Sequence, residues 1–151
     1  MRLGSLTRPD LIFLGLAATD RKGLLHELSE NVARQGLVAN AEELASKLWE
    51  REQLGSTGVG AEVAIPHCKI KGLAHGVLAV GVVPEGIDFA AVDGRPVKVF
   101  FLVISPSESP AEHLQVLAAI SRWVKADANI QKMLALPDRD SIYDLLRQEG
   151  S

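Results

Sequence analysis

One segment of the chain reads Gly55-Ser-Thr-Gly-Val-Gly-Ala-Glu-Val-Ala-Ile-Pro-His67-Cys68, and its residue types predict a loop, a short strand and a histidine, in that order. Three glycines within its first six residues argue against a helix, because each costs about 1 kcal/mol relative to alanine there. They favour a tight loop whose backbone N–H groups can turn toward a ligand. Residues 63–65 are apolar and predict a strand, and Pro66 biases Ile65 toward an extended backbone. We therefore expect His67 at a strand end beside the glycine loop.

The residues around His67 also match a known signature place by place. An acidic residue precedes an apolar and a small residue, and these precede the run apolar-Ala-apolar-Pro-His-small; the matching residues are Glu52, Val59, Gly60, Val63, Ala64, Ile65, Pro66, His67 and Cys68. The pattern resembles the phosphorylation-site signature of enzyme IIA domains of the mannitol/fructose type, which belong to the bacterial phosphoenolpyruvate-dependent phosphotransferase system. The resemblance spans nearly the whole chain. It implies an α/β fold, with a central mixed β-sheet flanked by helices, in a single domain over residues 1–151.

Three side chains take catalytic roles by this resemblance. His67 would be the phosphorylated nucleophile, and its free pKa of about 6.5 leaves most rings neutral at pH 7, as attack requires. Arg51 matches the arginine of the family's site, and its planar guanidinium suits two phosphoryl oxygens. His113 matches the family's second histidine and would stabilise the phosphoryl group or orient His67. We expect His113 in the first turn of a helix, where the partial positive charge disfavours the imidazolium.

The glycine loop is expected to supply further phosphate-binding donors. Phosphoryl transfer depends mainly on positioning and on electrostatic stabilisation, so donors around the phosphoryl oxygens are needed. Backbone N–H groups of the loop can serve in this way. The candidates are Ser56 and Thr57, through their hydroxyls as well, and Gly58 and Gly60. No metal or cofactor is expected.

Composition limits the class of protein. The chain has 151 residues, of which 47% are apolar and 23% charged, as in an ordinary globular domain. A formal net charge of −3 without a basic run argues against nucleic acid as a partner. The single cysteine excludes an intramolecular disulfide and fits a reducing compartment. With no evident secretory signal, and an apolar run over 11–18 too short to span a bilayer, we expect a cytoplasmic protein without membrane insertion.

The amino-terminal half predicts a strand and two helices. Residues 1–9 carry little pattern and are expected to be loosely held, whereas residues 11–18 read as a buried strand. Apolar residues at helical spacing predict a helix from Asp20 to Gln35. Asn40, with Glu43 three residues later, resembles a capping box and predicts a second helix that ends near Gln53.

The remainder predicts two strands followed by three helices. Residues 76–83 and 97–104 are nearly all apolar, as in strands covered on both faces. Ser109, Pro110 and Glu112 form the pattern of a full capping box at a helix start. The apolar stripe expected on that helix consists of Leu114, Leu117, Ile120, Ser121 and Val124. Two shorter helices are expected, over 128–136 and 141–148.

Other interpretations of the same residues are weaker. The run Asp20-Arg-Lys-Gly-Leu-Leu25 also resembles ACT-type ligand-binding modules, but an ACT fold needs a strand soon after Gly36, where a helix is predicted. A metal site formed by His67, Cys68 and His75 is disfavoured because adjacent strand residues, such as His67 and Cys68, point to opposite faces. Cys68 as a nucleophile would need a nearby base and a lowered pKa. The glycine loop lacks the Lys-Ser/Thr of a Walker A motif and the third glycine of a dinucleotide fingerprint.

The resemblance implies a phosphocarrier with protein partners. A phosphorylated HPr-type protein would give its phosphoryl group to His67, and an enzyme IIB domain would then receive it. The net negative charge would favour encounter with a positively charged HPr, and Glu62 would be an acidic residue near the site that contributes to this attraction. The surface around His67 is expected to be an apolar rim that contains Val59, Ile65 and Leu73. The alternative is a regulatory interaction protein of the nitrogen-regulatory branch, whose binding to target proteins depends on phosphorylation of His67. The sequence leaves open the sugar, the oligomeric state and the phosphorylated ring nitrogen.

Overall fold

The computed structural model describes residues 2–148, in which helices cover both faces of a mixed six-stranded sheet. The ends of the predicted domain range, Met1 and residues 149–151, lie outside the described residues. The strands are β1 (Ile12–Phe13), β2 (Gly58–Gly60), β3 (Val63–Ala64), β4 (His67–Ile70), β5 (Val77–Ile87) and β6 (Val97–Pro106). The helices are α1 (Arg21–Arg34), α2 (Ala41–Gln53), α3 (Pro110–Lys125), α4 (Asn129–Leu134) and α5 (Arg139–Gln148).

The sheet is built around the antiparallel pair β5 and β6. Its order is β1-β5-β6-β3-β2, and β4 also pairs with β6. Strand β1 runs parallel to β5, and β3 and β4 run parallel to β6, whereas β2 is antiparallel to β3. The predicted α/β architecture with a central mixed sheet flanked by helices is therefore confirmed.

Residues of β6 alternate between two hydrophobic cores, as expected of a strand covered on both faces. Phe100, Leu102 and Ile104 belong to the core under α1 and α2. Phe101 and Val103 belong to the opposite core, under α3, α4 and α5. All five side chains are fully buried, so this strand forms the centre of the molecule.

The amino-terminal segment differs from the expectation. Residues predicted to be loosely held form a short 3-10 helix, Leu3–Leu6, in which Leu3 is fully buried in the core under α3 and α5. A second 3-10 helix, Pro9–Leu11, leads directly into β1. The predicted strand over 11–18 shrinks to two residues, because Gly15 has a φ of +66° and breaks the extended backbone.

The first two helices follow their predicted caps. The Asp20 carboxylate accepts from the Gly23 N–H at 2.7 Å, and the Asn40 side chain accepts from the Glu43 N–H at 3.0 Å. Gly36, just past α1, has the positive φ of +81° that favours glycine there. The strand expected over 76–83 extends to Ile87, and the next extends to Pro106.

Helix α3 starts where predicted, but the face that it buries differs from the predicted apolar stripe. Its buried residues are His113, Val116, Ala119, Ile120 and Trp123, so the sheet-facing set lies about one position before the predicted set, and Leu114 is 67% exposed. The Ser109 side chain makes no capping hydrogen bond, so the predicted capping box is not formed. None of the helices within residues 2–148 combines the length and the apolarity needed to cross a membrane.

Candidate functional site

His67 is the first residue of β4, where the backbone pairs with the central strand β6. The Val103 N–H donates to the Pro66 carbonyl at 2.9 Å, and His67 lies in register with Val103. The half-buried His67 ring donates its Nδ1–H to the Ile65 carbonyl oxygen at 2.8 Å. Because a carbonyl oxygen accepts but never donates, Nδ1 carries the proton, and the neutral ring therefore has its lone pair on Nε2.

Arg51 faces that second nitrogen. It lies in the last turn of α2, and its Nε–H donates to His67 Nε2 at 3.3 Å. Its Nη1 donates to the Gly55 carbonyl at 2.8 Å, which anchors the guanidinium at the end of the helix. Arg51 and His67 are sixteen residues apart in the sequence, and the intervening hairpin of β2 and β3 brings their side chains into direct contact.

His113 comes from α3, which packs on the opposite face of the sheet from α2. The ring centroids of the two histidines are 5.4 Å apart, and the ring planes are tilted by 54°. His113 is buried, with 6% of its surface exposed, and its Nδ1 lies 2.7 Å from the Ser105 hydroxyl. The three predicted catalytic side chains therefore lie together, although they come from three different elements.

Both histidines have lowered pKa values. Burial lowers the pKa of His67, and the positive charges of Arg51 and Lys69 lower it further, against the opposing effect of the Ile65 carbonyl. Burial also lowers the pKa of His113 to about 4, with smaller contributions from His67 and Lys69. Desolvation, rather than the helix end invoked from the sequence, is thus the main cause for His113. Both rings are neutral at pH 7.

The predicted phosphate-binding loop is organised differently from the expectation. Its glycine segment forms β2, an edge strand antiparallel to β3, instead of an open loop. The Ser56 hydroxyl donates to the Phe89 carbonyl, and it accepts from the Gly58 N–H at 2.9 Å. The Gly58 carbonyl accepts from the Val92 N–H at 3.3 Å, and Gly60 has a φ of +95° that glycine tolerates. The Ser56 hydroxyl and the Gly58 N–H are therefore used inside the chain.

Thr57 is likewise hydrogen-bonded within the chain, to Glu52, whose role the sequence did not indicate. Its N–H donates to the buried carboxylate of Glu52 at 3.1 Å, and its hydroxyl donates to the other carboxylate oxygen. Arg21 places Nη1 4.0 Å from the same carboxylate. Glu52 thereby ties the start of the hairpin to the end of α2, beside Arg51. Its place in the signature was visible in the sequence, but its partners were not.

Ser105 is the second residue that sequence reasoning missed. It is fully buried near the end of β6, in register with Lys69, and its hydroxyl contacts His113. A polar residue at the end of an apolar strand, eight positions before His113, was the available signal.

Glu62 does not present the free negative charge expected from the sequence. Its carboxylate lies 3.0 Å from Lys98 Nζ and 3.6 Å from an Arg95 nitrogen, and these contacts lower its pKa. The residue also has a positive φ of +70° in the tight turn between β2 and β3. The charge of Glu62 is therefore already paired within the chain, which argues against its use in attracting a positively charged partner, and that use stays a prediction.

Exposed apolar side chains lie next to the site residues along the chain. Leu54, three residues after Arg51, is 84% exposed, and Leu114, adjacent to His113, is 67% exposed. Val59 is 50% exposed and agrees with the predicted rim, whereas Ile65 is buried and Leu73 packs against the core. The exposed apolar residues are thus partly different from those predicted.

The remaining candidates have structural surroundings. Burial raises the pKa of the Cys68 thiol to about 12, which opposes a nucleophilic role. His26 donates its Nε2–H to the Glu42 carboxylate at 2.8 Å on the surface of α1, and His75 is exposed in a turn. Within residues 2–148, no cluster of three or more histidine, cysteine or acidic side chains is arranged to hold a metal ion.

Comparison with known proteins gives one consistent family. The family model described as "Phosphoenolpyruvate-dependent sugar phosphotransferase system, EIIA 2" matches residues 5–149. A nitrogen regulatory protein of Pseudomonas aeruginosa is 30% identical over 147 residues, covering 97% of this chain and 95% of that relative. A fructose-specific EIIA component of the phosphotransferase system of Haloferax volcanii is also 30% identical, over 146 residues, with 97% and 95% covered.

Solved structures agree with the sequence comparisons. The nitrogen regulatory protein IIA-Ntr from Neisseria meningitidis superposes with a TM-score of 0.87 at 26% identity, and the match covers 95% of this chain and 97% of that one. The relatives thus include proteins named as nitrogen regulatory and a component named as fructose-specific.

Proposed function

The chain belongs to the enzyme IIA type-2 family of the phosphoenolpyruvate-dependent sugar phosphotransferase system, and from this premise we propose that it carries a phosphoryl group on Nε2 of His67. One observation carries the choice of atom. The Nδ1–H of His67 donates to the Ile65 carbonyl, so the lone pair lies on Nε2, beside Arg51. A nitrogen with an available lone pair and an adjacent cation is what attack on a phosphoryl group requires.

The transfer step exchanges one P–N bond for another. The Nε2 lone pair of His67 attacks phosphorus, and the bond from phosphorus to the ring nitrogen of a phosphohistidine on an HPr-type donor breaks. The donor nitrogen keeps the bonding electron pair and leaves as a neutral imidazole. His67 keeps its Nδ1 proton, so the phosphorylated ring becomes cationic, and the Ile65 carbonyl stabilises that N–H. The same proton lets His67 leave as a neutral imidazole when the phosphoryl group moves on.

Arg51 and His113 stabilise the transferred group. The guanidinium already contacts Nε2, so an arriving phosphoryl group replaces that contact with bonds from Arg51 to its oxygens. The neutral His113 ring, 5.4 Å from His67 between centroids, provides one further N–H. The transfer moves a phosphoryl group and leaves the charges of Arg51 and His113 unchanged, so neither residue needs to gain or lose a proton.

The partners we propose are an HPr-type donor and an enzyme IIB acceptor. Transient protein partners must reach a half-buried histidine, so docking requires an apolar surface around that histidine from which water is easily removed. Exposed Leu54 and Leu114, neighbours in sequence of Arg51 and His113, support such a docking surface. Ser56 and Thr57 have no direct part in this proposal, because their hydroxyls are bonded within the chain.

A regulatory role is the second candidate. It is supported by the names of the Pseudomonas aeruginosa relative and of the Neisseria meningitidis structure, both described as nitrogen regulatory proteins. In this role the phosphorylation state of His67 would set the affinity for target proteins, and no sugar would be moved. The chemistry at His67 is the same in both roles.

The test of the carrier role is phosphoryl transfer in vitro. Purified protein is mixed with enzyme I, HPr and phosphoenolpyruvate, and its intact mass is measured beside His67→Gln and a matched His75→Gln control. We expect one added acid-labile phosphate on the wild type and on the control, and none on His67→Gln. An unlabelled wild type, with the organism's own HPr and with a second IIA labelled in the same tube, would contradict the proposal.

The two roles separate in a second experiment. Phosphorylated and unphosphorylated protein are each incubated with candidate enzyme IIB domains and, separately, with an extract of the source organism for affinity capture. Loss of the phosphate to a IIB cysteine or histidine supports transport. Capture of a partner in only one phosphorylation state, without onward transfer, supports regulation.

A further inference from the structure

The Ser105 hydroxyl is a buried polar group whose partner is a site histidine. Ser105 is fully buried, and within residues 2–148 its one side-chain hydrogen bond is the 2.7 Å contact with Nδ1 of His113. Parallel pairing of β4 and β6 places Ser105 beside Lys69, two residues after His67. The hydroxyl therefore lies close to the phosphorylation site, on the face of the sheet that α3 covers.

The direction of this hydrogen bond follows from counting protons. A serine hydroxyl has one hydrogen to donate, and a neutral imidazole has one N–H and one lone pair. If His113 carried its proton on Nδ1, that N–H would donate to Ser105, and the buried hydroxyl hydrogen would have no acceptor among the described residues. If Nδ1 carries the lone pair, Ser105 donates to it and both groups are satisfied. A buried donor without an acceptor is costly, so the second arrangement is favoured.

We propose that Ser105 is a positioning residue that holds His113 in the Nε2–H tautomer, so that His113 donates a hydrogen bond to the phosphoryl group on His67. This inference deepens the proposed function and rests on it. The two site histidines then have complementary tautomers. His67 holds its proton on Nδ1 through Ile65 and attacks with Nε2, whereas His113 holds its proton on Nε2 through Ser105 and donates with it.

Tautomer choice matters here because the ring stays neutral. With a pKa of about 4, His113 has only one N–H at pH 7, and the other nitrogen would repel a phosphoryl oxygen through its lone pair. A hydroxyl donating to Nδ1 also makes the remaining N–H a better donor, because hydrogen bonds in a chain polarise one another.

The first test is direct observation of the tautomer. Two-bond proton–nitrogen correlations of the unphosphorylated, ¹⁵N-labelled protein distinguish a protonated Nε2 from a protonated Nδ1 in each histidine. We expect the Nε2–H pattern for His113. An Nδ1–H pattern would mean that Ser105 accepts, and it would overturn the inference. This measurement needs no phosphoryl donor, so its result is independent of whether the carrier role is correct.

The second test changes the hydroxyl. Ser105→Ala removes the donor, and Ser105→Thr retains it. The matched control is Ser29→Ala, which removes another fully buried hydroxyl, one that donates to the Leu25 carbonyl in α1 at 2.7 Å. We expect the His113 pattern to shift toward Nδ1–H or to an average in Ser105→Ala alone. An unchanged Nε2–H pattern in that variant would contradict the positioning role.

The third test links the tautomer to transfer. Loss of one neutral hydrogen bond from the transition state slows a reaction by roughly tenfold. We therefore expect the initial rate of labelling by phospho-HPr to fall about tenfold in Ser105→Ala and to stay within about twofold in Ser105→Thr and Ser29→Ala. A shifted tautomer with an unchanged rate would remove the donor role. If Ser105→Ala does not fold, the tautomer of His113 in the wild type and in Ser105→Thr still tests the proposal.

Discussion

Arg51 and His67 are joined by a hydrogen bond in which the arginine Nε–H donates to Nε2 of the histidine at 3.3 Å. The bond covers the nitrogen that we propose as the phosphorylated atom, and it is longer than the usual N–H donor distance of about 2.9 Å. The guanidinium is therefore placed to exchange this weak contact for stronger bonds to phosphoryl oxygens.

Replacement of Arg51 by lysine should slow labelling by phospho-HPr roughly tenfold to hundredfold, as loss of hydrogen bonds to a charged group implies. Lysine keeps the charge but lacks the planar fork that spans two oxygens. Initial rates measured by intact mass would show this. Arg34→Lys, in which an exposed arginine bonded to Asn31 is changed, serves as the control. Equal rates for Arg51→Lys and wild type would mean that the guanidinium has no role in transfer.

The histidines should titrate in a defined order. The pKa of His26 is raised, mainly by its hydrogen bond to Glu42, whereas the pKa values of His67 and His113 are lowered by burial. In a proton–carbon correlation experiment on the unphosphorylated protein, His26 should gain its proton first as the pH falls and His113 last, at about pH 4. Protonation of His113 before His26 would contradict the burial described here.

His113 should make folding stability depend on pH. Its folded-state pKa of about 4 lies below the unfolded value of 6.5, so the unfolded chain takes up the proton first. Stability from this group is complete above pH 6.5 and is lost as the pH falls toward 4, by about 3 kcal/mol. Urea unfolding of wild type and His113→Gln across this range measures the difference. The variant should lose less stability on acidification, and parallel curves would refute the effect.

Cys68 should be unreactive in the folded protein. It is buried in the core under α2, and its pKa of about 12 leaves on the order of one thiolate in ten thousand at pH 8. Iodoacetamide should therefore modify the chain only in denaturant. Cys68→Ala should still be labelled by phospho-HPr, and loss of labelling in that variant would revive the cysteine as a nucleophile.

Glu52 should stabilise the protein through Thr57. Glu52→Ala leaves two buried donors of Thr57 without their acceptor and should lower the free energy of unfolding by about 2–4 kcal/mol. Glu50→Ala, an exposed change on the same helix, should have little effect. A cycle with Thr57→Val should give a coupling energy of at least about 1 kcal/mol. Additive effects would mean that the two side chains act independently.

The helices α1 and α2 could be predicted closely because their signals are local. Asp20 and Asn40 cap their helices within three residues, and the apolar spacing that follows needs no knowledge of the rest of the chain. The strands β5 and β6 were predicted for the same reason, from continuous apolar runs. The buried face of α3 was not, because apolar residues such as Leu114 and Val116 occur around most of its circumference and the sheet selects among them.

The glycine segment shows the opposite case. Its composition indicated a loop with free donors, but pairing with β3 and with Val92 turned it into an edge strand. Glu52 and Phe89 then used the donors of Thr57 and Ser56. A residue's hydrogen-bond partners come from distant parts of the chain, and buried polar groups take whichever partners the fold brings near.

Sequence alone was enough to propose His67, Arg51 and His113 as the site residues, because the residue types that attack or stabilise a phosphoryl group are few and the segment before His67 resembles a known signature. Tertiary packing accounts for their protonation and orientation. The Ile65 carbonyl and the Ser105 hydroxyl each contact one ring nitrogen, and burial keeps both rings neutral. These effects depend on distances of about 3 Å and on exclusion of water, which only the folded chain creates.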